Sequence, residues 1–285
     1  MSPNLMRSGQ MRFLVLAIIS LSLTSCYQAK PLPEPVRNPP SAPINTTPAP
    51  ILAIPSPPQV APRFTSREIA GITFEGVTFD SRSARLVVAD QPNGPGSQFI
   101  DAAAAASAHD GIAAINAGFF TPEGTPLGLV VSSSKMTGSW NNASSLGSGV
   151  WHESPSGNPA ITRRENLGRA RASAAQELIQ AGPLLVENGR AVSGLEATKS
   201  SIRTLIVSDG ASRWWIGRSS PCTLAALSQA LTTAQPAGWP IQQALNLDGG
   251  RSSDLWVSEA ISGGPIVRRA PWNRPVRNFL VLKKR

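Results

Sequence analysis

Residues 244–253 read Ala244-Leu245-Asn246-Leu247-Asp248-Gly249-Gly250-Arg251-Ser252-Ser253. The alternation of leucine with asparagine and aspartate is typical of a β-strand, in which alternate side chains share one face. We therefore expect Leu245 and Leu247 to be buried in a core, while Asn246 and Asp248 face a cleft. Asp248 stands where the strand ends, which makes its carboxylate a candidate for catalysis.

The two glycines that follow turn the chain without side chains, and such a turn can direct backbone N–H groups at an anion. Arg251, Ser252 and Ser253 add further hydrogen-bond donors. With Gly249 and Gly250 they suit a carboxylate beside a phosphate or sugar site, although the stretch is no Walker loop because it lacks Gly-Lys-Ser/Thr. The alternative is a plain Asp-Gly hairpin turn, for which this dipeptide is a common signal.

A second polar motif, Ile115-Asn116-Ala117-Gly118-Phe119-Phe120, ends another apolar segment. The Asn116 amide can donate to and accept from sugar hydroxyls. Gly118 and Phe119 are predicted substrate contacts, and either phenylalanine is a candidate stacking platform for a sugar ring. The alternative for both phenylalanines is packing in the core.

Two further positions are candidates for ligand contacts. Gly182, which precedes Pro183, would let a ligand approach the backbone; the alternative is a simple turn into a strand. Arg203 enters a strand, and a guanidinium facing the Asp248 cleft would clamp a phosphate through two hydrogen bonds. The alternative is an ordinary surface arginine.

Hydrophobic periodicity predicts a folded part that mixes α and β structure, without an internal repeat. Helices are predicted at 99–109, which is rich in alanine, and at 221–235, which has proline in its first turn. Residues 137–170 are rich in Ser, Gly and Asn and predict a long loop with one or two short strands. Strands are predicted at 72–75, 77–80, 85–89, 112–115, 127–132, 184–186, 202–208, 214–216, 241–247, 253–257 and 277–282.

The beginning of the sequence has the layout of an export signal. Arg7 and Arg12 precede the apolar run 13–23, which is shorter than the roughly 20 residues of a membrane-spanning helix. Leu23-Thr24-Ser25-Cys26 resembles a bacterial lipobox, in which Cys26 would be acylated. We therefore predict a signal peptide at 1–25, a Pro-rich tether at 26–63 and a folded domain at 64–285. The protein is expected to be exported and held at the bacterial cell envelope by a lipid anchor in the membrane.

The charge of the chain is basic mainly because acids are scarce. There are 26 Lys and Arg against 17 Asp and Glu, a net charge of +9, and only 15% of residues are charged. Arginine matches phosphate and carboxylate groups, so anionic partners are expected. Nucleic acid is not expected, because no long basic run with interleaved aromatics is present. With two histidines and no zinc spacing, carboxylate chemistry is the default, and neither a cofactor nor a metal is expected.

These motifs, in this order, resemble the phosphodiester glycosidase family. They span about residues 112–282 and include the Asn116 motif, Pro126-Leu127-Gly128-Leu129-Val130, Gly182-Pro183-Leu184-Leu185, Arg203-Thr204, the 244–250 stretch and Arg277-Asn278. The resemblance implies a single α/β domain with a central mixed β-sheet flanked by helices. It also implies hydrolysis of the glycosidic bond in a sugar-1-phosphodiester, here of an envelope or extracellular glycan.

In such a reaction Asp248 would be the base or nucleophile. Asn116 would position sugar hydroxyls, and Arg203 would hold the phosphate. Asn278 is a further predicted substrate contact. A second carboxylate is expected, for which Glu123 and Asp254 are nearest in sequence to the motifs. Arg251 stands where the family usually has glycine, which puts the specific sugar in question. One alternative is a non-catalytic lipoprotein that binds an anionic glycan; another is a metal-dependent hydrolase with Asn246 and Asp248 as ligands.

Overall fold

The structure is a computed structural model that describes residues 60–285. The predicted signal peptide, Cys26 and the tether up to residue 59 lie outside the described residues. Residues 60–285 belong to one compact unit, and its first strand begins at Arg63, one residue before the predicted start of the domain. Within 60–285, no helix has both the length and the apolar composition needed to cross a membrane.

Seventeen strands and three α-helices make up the described part of the chain. The helices are α1 (Ala102–Ala108), α2 (Arg164–Ser173) and α3 (Leu224–Thr233). The strands are β1 (Arg63–Ile69), β2 (Ile72–Asp80), β3 (Ala84–Asp90), β4 (Ala113–Asn116), β5 (Val130–Ser132), β6 (Lys135–Thr137), β7 (Gly149–Glu153), β8 (Pro159–Arg163), β9 (Glu177–Ala181), β10 (Leu184–Glu187), β11 (Arg190–Ala191), β12 (Thr204–Ser208), β13 (Arg213–Ser219), β14 (Gln243–Asn246), β15 (Asp254–Val257), β16 (Ile266–Arg269) and β17 (Asn278–Lys284).

The strands form three sheets. Their orders are β1-β2-β13-β12-β14-β10-β11, β16-β15-β4-β17-β3 and β6-β5-β9-β7-β8. Every ladder between these strands is antiparallel. The prediction of a mixed α/β class in a single domain is confirmed. The expected central mixed sheet is instead three antiparallel sheets, in which hairpins pair consecutive strands and long connections bring β4 beside β15 and β17.

One apolar core joins the three sheets. It contains Ile206 and Leu245 from the first sheet, Ile115 and Leu280 from the second and Trp151 from the third, all fully buried. Helix α3 packs on the other face of the first sheet, and the alanines of α1 pack on the second sheet. The sheets are therefore held against one another by their shared core, and the helices cover outer faces.

The helix ends follow from side-chain caps. The Asp101 side chain accepts a hydrogen bond from the Ala104 N–H at 2.9 Å, so α1 begins at Ala102, three residues after its predicted start at Phe99. Thr223 caps α3 in the same way, which places Pro221 before the helix. Helix α2 begins inside the region predicted to be a loop and extends beyond it to Ser173, and it is interrupted at Gly168, where φ is +71°. The polar composition and this glycine explain why periodicity did not predict it.

Candidate active site

Asp248 lies where the chain crosses from the first sheet to the second. Strand β14 ends at Asn246, a single 3₁₀ turn spans Gly250–Ser252, and β15 then pairs with β4. The Asp248 N–H donates to the Ala117 carbonyl at 2.9 Å. The plain hairpin-turn alternative is therefore wrong, since the two strands joined by this turn belong to different sheets.

The two glycines are required by close packing of this crossing. A side chain on Gly249 would meet the Ile202 carbonyl oxygen at 2.5 Å, and Gly250 has a left-handed φ of +60°. The Gly249 N–H donates to Asp248 Oδ1 at 2.9 Å, and the Gly250 N–H donates to the Ile202 carbonyl at 2.8 Å. Both N–H groups thus bond within the chain, and the predicted direct contact of this turn with an anion is not found.

The Asp248 carboxylate is largely withdrawn from water. Burial raises its pKa to about 6, and hydrogen bonds from the Ser252 side chain and the Gly249 N–H oppose the shift. At neutral pH the group is then mostly ionised, yet it is a stronger base than an ordinary aspartate. These properties suit a catalytic base or nucleophile.

A cavity of about 600 Å³ opens over Asp248. It contains two carboxylates, Asp248 and Glu123, and two guanidiniums, Arg251 and Arg274. The complete lining is Pro95, Phe120, Thr121, Pro122, Glu123, Asp248, Arg251, Ser252, Arg274 and Pro275. Both charge signs are therefore available to a ligand at one place.

Of the two candidates for a second carboxylate, only Glu123 lines this cavity. A hydrogen bond from the Thr121 side chain is the main cause that holds the Glu123 pKa below its ordinary value. Asp254 is buried, and its carboxylate accepts from Arg269 Nη1 at 2.9 Å and from the Ala102 N–H at 3.0 Å. The opposite directions of the Asp248 and Glu123 pKa shifts are typical of carboxylates with different roles.

The two arginines of the cavity, Arg251 and Arg274, lie on two segments of the chain that are hydrogen-bonded to each other. The Arg251 guanidinium donates through Nη2 to the Trp272 carbonyl at 3.2 Å, and the Arg274 N–H donates to the Arg251 carbonyl at 3.4 Å. Arg251 and Ser252 line the cavity as predicted contacts would. Arg274 was not predicted, because nothing in the sequence near it distinguishes it from a surface residue.

Asn116 has a different position from the one predicted. Its side chain is fully buried, and Nδ2 donates to the Asp248 carbonyl at 2.7 Å. Its Oδ1 accepts from Thr204 Oγ1 at 2.8 Å and from the Asp254 N–H at 3.0 Å. The predicted contact with sugar hydroxyls is therefore not found; Asn116 instead holds the backbone beneath the Asp248 carboxylate.

Arg203 also faces away from the cavity. Its Nε donates to the Cys222 carbonyl at 3.2 Å and its Nη2 to the Lys199 carbonyl at 2.7 Å. Only the backbone of Arg203 lies near the crossing from the first sheet to the second, where its Cα is close to Gly249. The predicted phosphate clamp is not found at this residue, and the two guanidiniums on the cavity belong to Arg251 and Arg274.

Asn246 and Gly182 contact each other within the chain. Asn246 is buried, and its Nδ2 donates to the Gly182 carbonyl at 2.8 Å. A side chain on Gly182 would meet the Ser145 carbonyl oxygen, so its close approach is to protein. Because Asn246 does not line the cavity over Asp248, its predicted position in the cleft is wrong, and the proposed metal-ligand pair is not brought together.

The remaining predicted contacts likewise pack inside the chain. The Gly118 N–H donates to Asn278 Oδ1 at 2.7 Å, and both residues are buried. Phe119 packs against the main core, while Phe120 lines the cavity. Ser253 is buried and its hydroxyl bonds to Thr204 Oγ1 at 3.1 Å. Among residues 60–285, no group of three or more His, Cys, Asp or Glu side chains is arranged to hold a metal ion.

Comparison with known proteins places these observations in a family. The family model described as phosphodiester glycosidase matches residues 109–283, more than half of the chain. The chain belongs to the phosphodiester glycosidase family. The match includes Asn116, Glu123, Asp248 and Arg274, and therefore nearly all of the cavity lining. No curated protein matches the chain significantly.

Solved structures share the fold of this phosphodiester glycosidase family member. The catalytic domain of zebrafish N-acetylglucosamine-1-phosphodiester alpha-N-acetylglucosaminidase, auto-inhibited by its pro-peptide, has a TM-score of 0.54 and 16% identity, covering 81% of this chain and 85% of that one. A hypothetical protein from Synechocystis has a TM-score of 0.55 and 18% identity over 78% of this chain and 61% of that one. A putative exported protein from Burkholderia pseudomallei K96243 has a TM-score of 0.51 and 14% identity over 74% of each chain.

In this member of the phosphodiester glycosidase family, strand pairing explains how the cavity residues come together. Strand β17 runs antiparallel to β4, with Phe279 opposite Asn116. The loop before β17, which carries Arg274 and Pro275, therefore meets the loop after β4, which carries Phe120 and Glu123. The sequence signal for this meeting of loops was that β4 ends, and β17 begins, with an asparagine. That signal becomes informative only once the two strands are known to be neighbours.

Proposed function

We propose that the protein hydrolyses the glycosidic bond of a sugar-1-phosphodiester in the cavity over Asp248. The observation that carries this proposal is a half-buried carboxylate of raised pKa that shares one cavity with two guanidiniums. The carboxylate suits attack at the anomeric carbon, and the guanidiniums suit the adjacent phosphate. Membership of the family supports the same reaction class.

The proposed chemistry divides among the cavity residues. The C1–O bond to phosphate breaks, the phosphomonoester leaves with the electron pair, and water supplies the hydroxyl that ends on C1. Asp248 either takes the proton of that water or attacks C1 first as nucleophile. Because the leaving group is already a stable anion, Arg251 and Arg274 stabilise it without a strong general acid.

Two further side chains complete this arrangement. Glu123 is the second carboxylate of the cavity, where its charge would stabilise positive charge on the sugar ring. Phe120 is the aromatic residue placed to contact the apolar face of a sugar. In this proposal Asn116 acts only by positioning Asp248.

The reaction can be tested with the 4-nitrophenyl phosphodiester of N-acetylglucosamine-1-phosphate, the sugar named for the zebrafish relative. We expect the purified protein to release free sugar and 4-nitrophenyl phosphate, and yellow nitrophenol to form only after a phosphatase is added. The neutral 4-nitrophenyl glycoside of the same sugar, which lacks the phosphate held by the arginines, should be a much poorer substrate.

Other products would decide against this function. Direct release of nitrophenol without phosphatase would indicate a phosphodiesterase. Saturable binding of the phosphodiester without turnover, across several sugars, would favour the alternative of a non-catalytic protein that binds an anionic glycan. Arg251 is the observation behind that alternative, because it adds a cation to the cavity at a position that the family usually fills with glycine.

The pH dependence should reveal the protonation state of Asp248. Because the active form in this proposal is the carboxylate, kcat/KM should rise with pH through about 6 and then level off. Because the pKa of Glu123 is lowered, chiefly by a hydrogen bond from the Thr121 side chain, Glu123 should add no second limb at or above that of Asp248. Initial rates of sugar release between pH 4 and 8 measure this profile. A profile that instead falls through about 6 would make Asp248 a general acid.

We also propose that the protein is exported and anchored at the cell envelope through Cys26. The support is the sequence of the first 26 residues, in which a charged start and an apolar run precede Leu-Thr-Ser-Cys. The variant Cys26→Ser should lose metabolic labelling by palmitate and leave the membrane fraction of expressing bacteria. If it remained in that fraction through a carbonate wash, acylation of Cys26 would not be the anchor.

A further inference from the structure

A second cavity, of about 300 Å³, has three arginines in its lining and shares no residue with the cavity over Asp248. It lies along β1, the edge strand of the first sheet. Alternate residues of a strand share a side, so Arg63, Thr65 and Arg67 face the same way. The lining, which we call the arginine groove, is Val60, Ala61, Arg63, Thr65, Arg67, Thr78, Phe79, Arg213, Ala237 and Trp239.

Residues that follow α3, on the side of the arginine groove opposite β1, hold two of its guanidiniums in place. Arg67 Nη1 donates to the Gln235 carbonyl at 3.3 Å, which ties β1 to the segment after α3. The Arg213 guanidinium lies 5.6 Å from the centre of the Trp239 ring. Arginine stacked on an aromatic ring has little conformational freedom left, so Arg213 forms a fixed side of the groove.

The charge of the arginine groove is unbalanced. Its lining contains three arginines and no carboxylate. Arg213 pairs with Asp209 at 2.7 Å, whereas Arg63 and Arg67 have no ion pair within residues 60–285. Cations gathered at one place repel each other, and an anion between them relieves that repulsion.

The spacing of the arginines favours a chain with repeated anionic groups. Four residues along a strand separate the Arg63 and Arg67 backbones by about 13 Å, so the two side chains start from well-separated points along the groove. The aromatic rings of the groove, Phe79 at 3% exposure and Trp239 at 6%, are too buried to stack with nucleic-acid bases. The protein's own segment 27–59 is not a suitable anionic chain either, because its two basic residues, Lys30 and Arg37, outnumber its single acid, Glu34.

We propose that the arginine groove binds an anionic glycan chain through its repeated carboxylate or phosphate groups. This site is separate from the proposed hydrolysis over Asp248 and does not depend on it. It would hold a polymer of the envelope against the domain at the end where the tether joins.

Binding can be measured with the whole protein and two polymers, polygalacturonate for carboxylates and poly(glycerol phosphate) for phosphates. Dextran is the neutral control, and single-stranded oligonucleotide is the nucleic-acid control. The test variant is the double substitution Arg63→Gln and Arg67→Gln in one protein. Its matched control is Lys135→Gln with Arg169→Gln, which removes the same charge from exposed positions outside the groove.

We expect wild type and the matched control to bind at least one of the anionic polymers, with affinity falling as salt is raised. The test variant should bind about tenfold more weakly, and its slope of log Kd against log salt should be smaller by about 1.4, from two contacts of about 0.7 each. The melting temperatures of both variants should match that of wild type, which shows that they are folded, and hydrolysis of the small phosphodiester should be unchanged.

Three results would overturn the proposal. These are no binding of either polymer by wild type, equal weakening in the matched control, or tighter binding of oligonucleotide than of both glycans. A second variant, Arg63→Lys with Arg67→Lys, keeps the charge and should retain most of the affinity. Loss of binding in that variant together with a lowered melting temperature would assign Arg63 and Arg67 a structural role and also overturn the proposal.

Discussion

Replacing Asp248 with asparagine is expected to lower kcat for the sugar phosphodiester by about 10²–10⁴-fold, the usual contribution of a positioned base. The amide is nearly the same size, and its oxygen can still accept from the Gly249 N–H, which bonds to Asp248 Oδ1 at 2.9 Å. The cavity should therefore keep its shape and its arginines. KM should change little, because only the reacting group is removed.

The same substitution should stabilise the fold above pH 6. The folded pKa of about 6 exceeds the ordinary value of 3.8, so the folded state binds the proton more tightly than the unfolded state. The contribution of this group to stability is then complete below pH 3.8 and is lost as pH rises through about 6. Asp248→Asn removes that loss, and we expect a gain of about 1–3 kcal/mol at pH 8 and almost none at pH 4.

A matched control for Asp248→Asn is Glu259→Gln, which removes an exposed carboxylate away from the cavity. It should leave both activity and the melting temperature unchanged. Turnover assays and urea unfolding at pH 4 and pH 8 measure the two effects. Full activity in Asp248→Asn would show that the base or nucleophile is another group, whatever happens to stability.

Replacing Asn116 with alanine is expected to cost about 2–4 kcal/mol of stability and most of the activity. Three hydrogen bonds would be lost at a fully buried position, which leaves the Asp248 carbonyl and the Asp254 N–H without this partner. Since the amide holds the crossing beneath the Asp248 carboxylate, the carboxylate would no longer be fixed relative to the substrate.

Kinetics separate positioning from direct contact in Asn116→Ala. Positioning predicts a fall in kcat with a KM near that of wild type, whereas a lost sugar contact would raise KM. The control is Thr204→Val, which removes the hydrogen bonds of Thr204 Oγ1 with Asn116 Oδ1 and with Ser253 Oγ but leaves the amide bonded to Asp248 and Asp254. It should cost about 1–2 kcal/mol and retain most activity. Similar kinetics in both variants would contradict a special role for Asn116.

Much of the fold was predictable because it depends on local pattern. Alternating apolar residues predicted β2, β3, β12 and β13, and the alanine-rich run predicted α1. Strands β1, β9 and β16 and helix α2 were not predicted, because their composition is polar or their apolar runs are short. Their pairing partners decide their structure, as when β9 lies between β5 and β7.

The site was predictable at Asp248, Arg251 and Ser252, which follow one strand directly. Asn116 and Arg203 were also marked as polar residues at strand boundaries, yet strand position alone could not decide where their side chains point. In both cases neighbouring carbonyl groups take the hydrogen bonds. Buried polar atoms must find partners, and a partner inside the protein is often closer than a ligand.

The sequence by itself determined that this chain is a mixed α/β member of its family, with a carboxylate at the end of a buried strand and an excess of arginine. These are properties of periodicity, composition and motif order, which can be read along the chain. Only the tertiary structure decided that Glu123 and Arg274 join Asp248, and that Arg63 and Arg67 share a groove with Arg213. The physical reason is that antiparallel pairing and a shared core bring together segments 180 residues apart, as Pro95 and Pro275 are, and no local pattern encodes that proximity.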